Sequence, residues 1–214
     1  MNVKLISITV PTWHEAQTPE HLITYCARVS SPQNQLNTDT APKLIRYLIE
    51  HKHWSPFEMA SMCVEIETSR AISAQILRHR SFSFQEFSQR YSEVTEFEEY
   101  EGRAPAEKNR QSSVEPLSYH QRIQWEAAYQ RVTQTCFEEY RTAINNGVAR
   151  EQARMLLPMC TKTRLYMNGT VRSWIHYLQV RCAPDVQKEH RDIAEACKAI
   201  FTTQFPIIAE ALWG

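Results

Sequence analysis

The chain has 214 residues, long enough for one sizeable domain with its own core and short for two. With 43% hydrophobic and 22% charged residues it has the composition of a globular protein rather than a disordered, fibrous or membrane one. Lys plus Arg balances Asp plus Glu at 24 each, so overall charge points to neither nucleic acid nor a membrane surface, and an anion site has to be a local cluster.

The first ten residues lack the basic start, long apolar core and small-residue cleavage site of a signal peptide. No run reaches the ~18 apolar residues of a bilayer-spanning helix, so a cytoplasmic protein is expected. Residues 3–10 alternate Val3, Leu5, Ser7 and Thr9 with Lys4, Ile6, Ile8 and Val10, and the low polarity on both sides predicts an interior strand. Thr18-Pro19 predicts a helix start, a capping hydroxyl before a proline at the first helical position, and Ser30-Ser31-Pro32 its end. A second helix carries Leu44, Ile45, Leu48 and Ile49 on one face and closes near His51 to Pro56. Met62, Val64 and Ile66 alternate with Cys63, Glu65 and Glu67, the pattern of a half-buried strand. Ser69 then caps a helix through Ala71, Ile72, Ile76 and Leu77 that delivers Arg78-His79-Arg80 at its C-terminal end.

Thr95 to Ser118, with a Glu cluster, Gly102, Pro105 and Pro116, has little periodicity and predicts a surface loop or lid. A long polar-faced helix from about Ser118 to Asn145 stops at Asn146-Gly147. Arg150 to Leu157 predicts a short helix cut by Pro158, Thr161 to Met167 a strand, and Asn168-Gly169 a turn. Thr170 caps a helix through Arg181, and Pro184 begins the last long helix. Cys26, Cys63, Cys136, Cys160, Cys182 and Cys197 form no C-x-x-C pair, which argues against a zinc site or disulfide framework and predicts mostly buried apolar roles. Separated strands among predominant helices predict one α+β domain over residues 1–214.

Arg78, His79, Arg80, Ser88 and Arg90 lie within thirteen residues. Guanidinium groups grip phosphate oxygens bidentately, and a serine hydroxyl completes such a cradle. A helix dipole alone also favours basic residues at this end. Gln75, one turn earlier, adds an amide suited to a base edge on the same side. Between Ser81 and Tyr91 the aromatics Phe82, Phe84, Phe87 and Tyr91 interleave with polar groups, as a floor for planar rings or as core.

The spacing Arg-His-Arg, seven residues, Ser, one residue, Arg resembles the signature of flavin-dependent thymidylate synthases, five fixed positions at fixed spacing. The similarity extends in family order over most of the chain: Ala27-Arg28-Val29-Ser30, His53-Trp54-Ser55-Pro56-Phe57-Glu58, Ala153-Arg154-Met155-Leu156-Leu157-Pro158, and Val171-Arg172-Ser173 through Arg181. The resemblance implies that family's α+β fold and the conversion of dUMP to dTMP. Methylenetetrahydrofolate would be the carbon donor, FAD reduced by NADPH the hydride carrier, and the assembly a homotetramer with active sites shared between subunits. Carried onto matching positions, Gln75, Arg78, Glu86, Phe87, Ser88, Gln89, Arg90, Arg154 and Arg181 would surround the nucleotide. Ser55, Glu58, Arg78, His79, Arg80, Glu86, Thr170, Arg172 and His176 would lie along FAD, with His53 near the folate and flavin rings. The family often carries asparagine where this chain has Thr170 and His176.

Ser88 has no histidine or lysine at a spacing suited to take its proton, so it reads as a nucleotide ligand rather than a nucleophile. Arg181, ending its helix, would stabilise negative charge on the uracil ring as that ring is activated, the catalytic role assigned here. Arg154 in its Met155-Leu156-Leu157 context reads as drawn toward a core, where it needs an anionic partner such as a neighbouring subunit's nucleotide phosphate. Two rival readings are a metal site from His51, His53, His79 and Glu58, and a nucleic-acid-binding module using the basic and aromatic 78–91 segment. Ligand spacing disfavours the first, and zero net charge the second.

Overall fold

The computed structural model describes residues 1–13, 16–94, 96–109 and 112–214. Its frame is a four-stranded antiparallel sheet of β1 (Asn2–Ile8), β2 (Ser61–Ser69), β6 (Lys162–Thr170) and β3 (Ser83–Glu86), in spatial order β1-β2-β6-β3. Along β2 and β6 alternate side chains point to a buried face, Met62, Val64, Ile66, Leu165 and Met167 being fully buried. The helices α1 (Pro19–Ala27), α2 (Ala41–Glu50), α3 (Arg70–Ile76), α6 (Val171–Arg181), α7 (Lys188–Gln204) and α8 (Pro206–Trp213) contribute to one continuous core with that face. Together these elements make the expected α+β class.

The capping signals hold. Thr18 Oγ1 accepts from the His21 N–H, Ser69 Oγ from Ile72 and Thr170 Oγ1 from Ser173, each opening its helix as its sequence predicts. The long helix α4 (Tyr119–Asn145) opens on a capping box between Ser118 and Gln121, and Gly147 follows it at φ 81°. No described helix is long and apolar enough to cross a membrane.

Several expectations are corrected. The first strand is an edge, not interior: β1 pairs only with β2, bulges between Leu5 and Ser7, and leaves Ile6 44% exposed. Asn168-Gly169 is no turn; β6 runs through it, pairing Asn168 with Cys63 and Gly169 with Met62. Segment 81–91 is not only an aromatic floor, because β3 occupies residues 83–86. The expected 95–118 loop holds the strand pair β4 (Arg103–Pro105) and β5 (Ser113–Pro116), while its residues Thr95, Arg110 and Gln111 lie outside the described set. The last helix starts at Lys188 rather than Pro184, and Pro206 divides it into α7 and α8 because proline cannot donate the helical N–H. Of the six cysteines only Cys197 is buried; the other five are part-exposed. The short helix at 150 is α5 (Arg150–Ala153) followed by a 3-10 turn over Arg154–Leu156.

Gly169 has a steric reason to be glycine. A Cβ there would run into the ring of Phe82, which is packed edge-on against Trp174 and Tyr177 at 4.9 and 5.8 Å and has little room to retreat. Gly169→Ala is expected to cost about 1–3 kcal/mol in urea unfolding, as overpacked cores do. In a Phe82→Leu background the same change should cost less; an equal cost in both would mean that the ring is not the obstacle.

Candidate active site

Three helix ends build the first cluster. The end of α3 and the turn after it supply Gln75 and His79, the end of α6 supplies Tyr177 and Arg181, and the start of α7 supplies Gln187, Glu189 and His190. Arg181 Nε donates to His79 Nε2 at 2.8 Å, so the His79 ring is neutral and carries its proton on Nδ1. Burial, followed by the charges of Arg181 and His176, pushes the His79 pKa down to about 4. The Arg181 terminal nitrogens have no partner among the described residues. His190 is fully buried, and burial, with Arg181 and His79 adding, holds its pKa down to about 3.

The second cluster lies where α6 begins. Glu58, in the 3-10 turn Ser55–Glu58, accepts from Arg172 at 2.6 Å. Ser173 Oγ donates to the Ser81 carbonyl at 3.1 Å, joining α6 to the residue after Arg80. A hollow of about 410 Å³ opens beside them, lined by Trp54, Ser81, Arg172, Ser173, His176 and Gln179 among others. His53, Ser55, Glu58, Arg80 and His176 are all exposed here or on the adjoining turns, and His53 meets Tyr47 edge-on at 6.0 Å. Thr170 is engaged as the α6 cap.

The third cluster is the turn after β3. Glu86 is anchored on both oxygens: Oε1 accepts from Ser73 at 2.5 Å and Thr163 at 3.0 Å, and Oε2 pairs with Arg70 at 2.7 Å. That anchoring fixes the root of the turn carrying Phe87, Ser88, Gln89 and Arg90. The Phe87 N–H donates to the Arg164 carbonyl, and a hollow of about 280 Å³ is lined by Glu86, Phe87, Ser88, Tyr91, Arg164 and Tyr166 among others. Ser88 and Arg90 are exposed, whereas Gln89 is buried with its amide nitrogen unpartnered among the described residues.

The structure thus groups Gln75, His79 and Arg181, then Glu58, Arg172 and His176, then residues 86–90. Arg154 stands apart: its Nε bonds only the Glu151 carbonyl at 3.3 Å, and Met155 and Leu156 beside it are 69% and 45% exposed. The expected drawing of Arg154 into a core is therefore wrong for the single chain; its apolar neighbours form surface. Among the described residues no three of His, Cys, Asp or Glu converge as a metal site requires, and His79 and Glu58 are bound to arginines instead. Sequence reasoning missed Tyr177, Gln187, Glu189 and His190. One signal was present: His190 heads the stripe Ile193, Ala194 and Cys197 at helical spacing, a polar ring on a buried face.

The family model described as thymidylate synthase complementing protein matches residues 12–207. A probable flavin-dependent thymidylate synthase of Paramecium bursaria Chlorella virus 1 is 48% identical over 213 residues, 99% of each chain. The flavin-dependent thymidylate synthase of Synechocystis sp. is 51% identical over 215 residues, again 99% of each. Among solved structures, a UMP/dUMP methylase PolB from Streptomyces cacaoi bound with 5-Br dUMP superposes with a TM-score of 0.84 at 27% identity, covering 98% of this chain and 93% of that one.

Neutral His79 and His190 have a consequence with one sign. Their folded pKa values lie below the unfolded value of 6.5, so the unfolded chain takes up protons first as pH falls, and stability drops from pH 6.5 down to about 4 through His79 and to about 3 through His190. His79→Leu removes one such group. The stability advantage of wild type over this variant, from urea midpoints, should shrink as pH falls through that window; a constant difference would show that the folded state accommodates the imidazolium.

Proposed function

The chain belongs to the flavin-dependent thymidylate synthase family, and on that premise we propose that it methylates dUMP to dTMP in the cytoplasm, using 5,10-methylenetetrahydrofolate, FAD and NADPH. The observation that carries this reading is the Arg181–His79 bond at 2.8 Å, which fixes a guanidinium by one nitrogen and leaves its two terminal nitrogens for a ligand. The remaining donors fit polyanionic ligands. Arg78, Arg80 and Arg90 are exposed with no ion-pair partner among the described residues, and the buried Gln89 amide nitrogen has none either. The hollow beside Trp54 and His176 offers a flat ring both an aromatic wall and polar edges.

Bound FAD, reduced by NADPH, supplies the hydride that completes the methyl group. The chain's own residues bind and polarise. Arg78 and Arg90 hold phosphate, and Ser88, which has no basic side chain as partner, adds a hydroxyl to that cradle rather than attacking the base. Arg181 faces the uracil and stabilises the negative charge that develops on it, an electrostatic contribution. Arg172, tethered by Glu58, and His176 line the flavin side. Arg154 with exposed Met155, Leu156 and Met159 suits an inter-subunit surface, which supports a homotetramer in which this arginine reaches a neighbour's nucleotide. A nucleic-acid surface gains nothing here, since Phe82 is buried and Phe84 half-buried, leaving too few open rings for a stacking platform.

Purified protein should be yellow, with a flavin spectrum that changes on adding dUMP, and should release tritium from 5-labelled dUMP in the presence of the folate donor, FAD and NADPH. Protein that takes up no flavin would refute the reading. Arg90→Ala should raise the dUMP KM by about tenfold to a hundredfold through loss of a charge-assisted contact. Arg181→Ala should instead lower kcat by about 10²–10³, the usual effect of removing a donor to a developing anion. Unchanged kinetics in both variants would refute these site assignments.

A further inference from the structure

Five polar side chains beside the site form one directional hydrogen-bond chain. Tyr177 Oη lies 3.2 Å from His190 Nε2, His190 Nδ1 lies 3.3 Å from Gln75 Oε1, Gln75 Nε2 lies 2.7 Å from Gln187 Oε1, and Gln187 Nε2 lies 2.9 Å from Glu189 Oε2. The other Glu189 oxygen accepts from Arg103 of β4. Glutamine amides and histidine tautomers are ambiguous singly, but a chain with a charged end resolves them. Although burial works to raise its pKa, Glu189 is held below the usual carboxylate range by Arg103, its own backbone N–H and Gln187, so it is ionised and only accepts. Gln187 must therefore turn its NH2 to Glu189 and its oxygen to Gln75. Gln75 must then turn its NH2 to Gln187 and its oxygen to His190, which can only donate from Nδ1. His190 Nε2 is left to accept from the Tyr177 hydroxyl. Reversing any one amide sets oxygen against oxygen, and reversing both sets an oxygen against the Glu189 carboxylate.

We propose that His190 is a positioning residue for the nucleotide: with Gln187, Glu189 and Arg103 it locks the Gln75 amide in one orientation before substrate arrives. The proposal rests on the reading above that Gln75 faces dUMP. A glutamine amide has two N–H groups and two oxygen lone pairs, so one of each stays free at Gln75, at fixed places. Without His190 on one side and Gln187 on the other, the amide can turn over and present the wrong group, and ordering it falls to the binding step. The β4–β5 pair enters the same logic. Arg103 keeps Glu189 charged, and so a strand remote in sequence sets the polarity of an amide in the site.

The test uses the flavin-loaded enzyme, with dUMP titrated against the flavin spectrum and steady-state rates measured beside it. His190→Leu should weaken dUMP binding about tenfold, the scale of one well-placed hydrogen bond, while flavin content and kcat at saturating dUMP stay within about twofold. His190→Asn keeps an N–H that can reach Gln75 Oε1 and should recover most of the loss, which a merely structural role for the ring would not produce. Gln187→Met, at a part-exposed position, removes the other support and should show the same KM effect even if the His190 variants fold poorly. Gln75→Ala separates the two readings. If it weakens dUMP binding but His190→Leu and Gln187→Met do not, the positioning chain is overturned and the site stands. If Gln75→Ala leaves dUMP binding unchanged, Gln75 does not face the nucleotide and both fail.

Discussion

The antiparallel pairing of β2 with β6 is the constraint on which the rest of the molecule depends. Ser69 ends β2 and caps α3, and Thr170 ends β6 and caps α6, so each strand passes into a helix with no loop between. Register places Ser61 opposite Thr170 and Ser69 opposite Lys162, so the two helices start at opposite ends of the same sheet. Both fold back over its buried face, where Ile72, Ile76, Trp174 and Tyr177 are buried, and Trp174 Nε1 ties the second to the Met62 carbonyl at 2.9 Å. Nine-residue strands span about 30 Å. Helices of 7 and 11 residues cover about 10 and 17 Å. Their C-terminal ends therefore run toward each other and meet at His79 and Arg181. Two helix C-termini facing one place favour cations there, which is where Arg78, Arg80 and Arg181 stand.

Much of this frame was legible because it is local. Ser69 and Thr170 before apolar stripes, and the alternation from Met62 to Ile66, need no knowledge of distant residues. The misreadings share a cause: a distant neighbour decided the outcome. Asn168-Gly169 has the composition of a turn, but the glycine is there to admit the Phe82 ring. Residues 83–86 alternate too briefly to announce a strand, and they become one because β6 offers an edge. Residues 3–10 look interior on both sides, yet only β2 lies beside them. The candidate ligands at 75–90, 154 and 172–181 were legible through family spacing. The groups that hold them were not, since Gln75 meets His190 across 115 residues and Arg103 meets Glu189 across 86.

The single chain leaves apolar surface in a particular place. Helix α4 spans 27 residues, yet Thr133 and Tyr140 are its buried members, and Ile123, Trp125 and Val132 are at least 42% exposed. Met155, Leu156 and Met159 continue that surface on the segment that packs against α4. The sheet's unburied face is charged by contrast, with Glu65, Glu67, Lys162 and Arg164 on it. A chain that gathers its nucleotide and flavin candidates into three clusters, and sets Arg154 apart from all of them among exposed apolar residues, is organised as a subunit would be if the proposed tetramer completes the site.

Charge explains why the two histidines beside Arg181 and Gln75 are neutral. An imidazolium at His79 would set a donor against the Arg181 donor and a positive charge beside the guanidinium, so Arg181 is steered best by a ring that stays unprotonated. His190 is bound by the same reasoning from the other side, since the ionised Glu189 at the end of its chain demands donors all along it and leaves His190 one nitrogen to give and one to receive. Arg181 and Glu189 are thus the fixed charges that bracket the neutral His79, Tyr177, His190, Gln75 and Gln187. Orientation at Arg181 and Gln75 is set by neutral rings and amides held between fixed charges, and the cations at 78, 80 and 90 stand exposed with no ion-pair partner among the described residues.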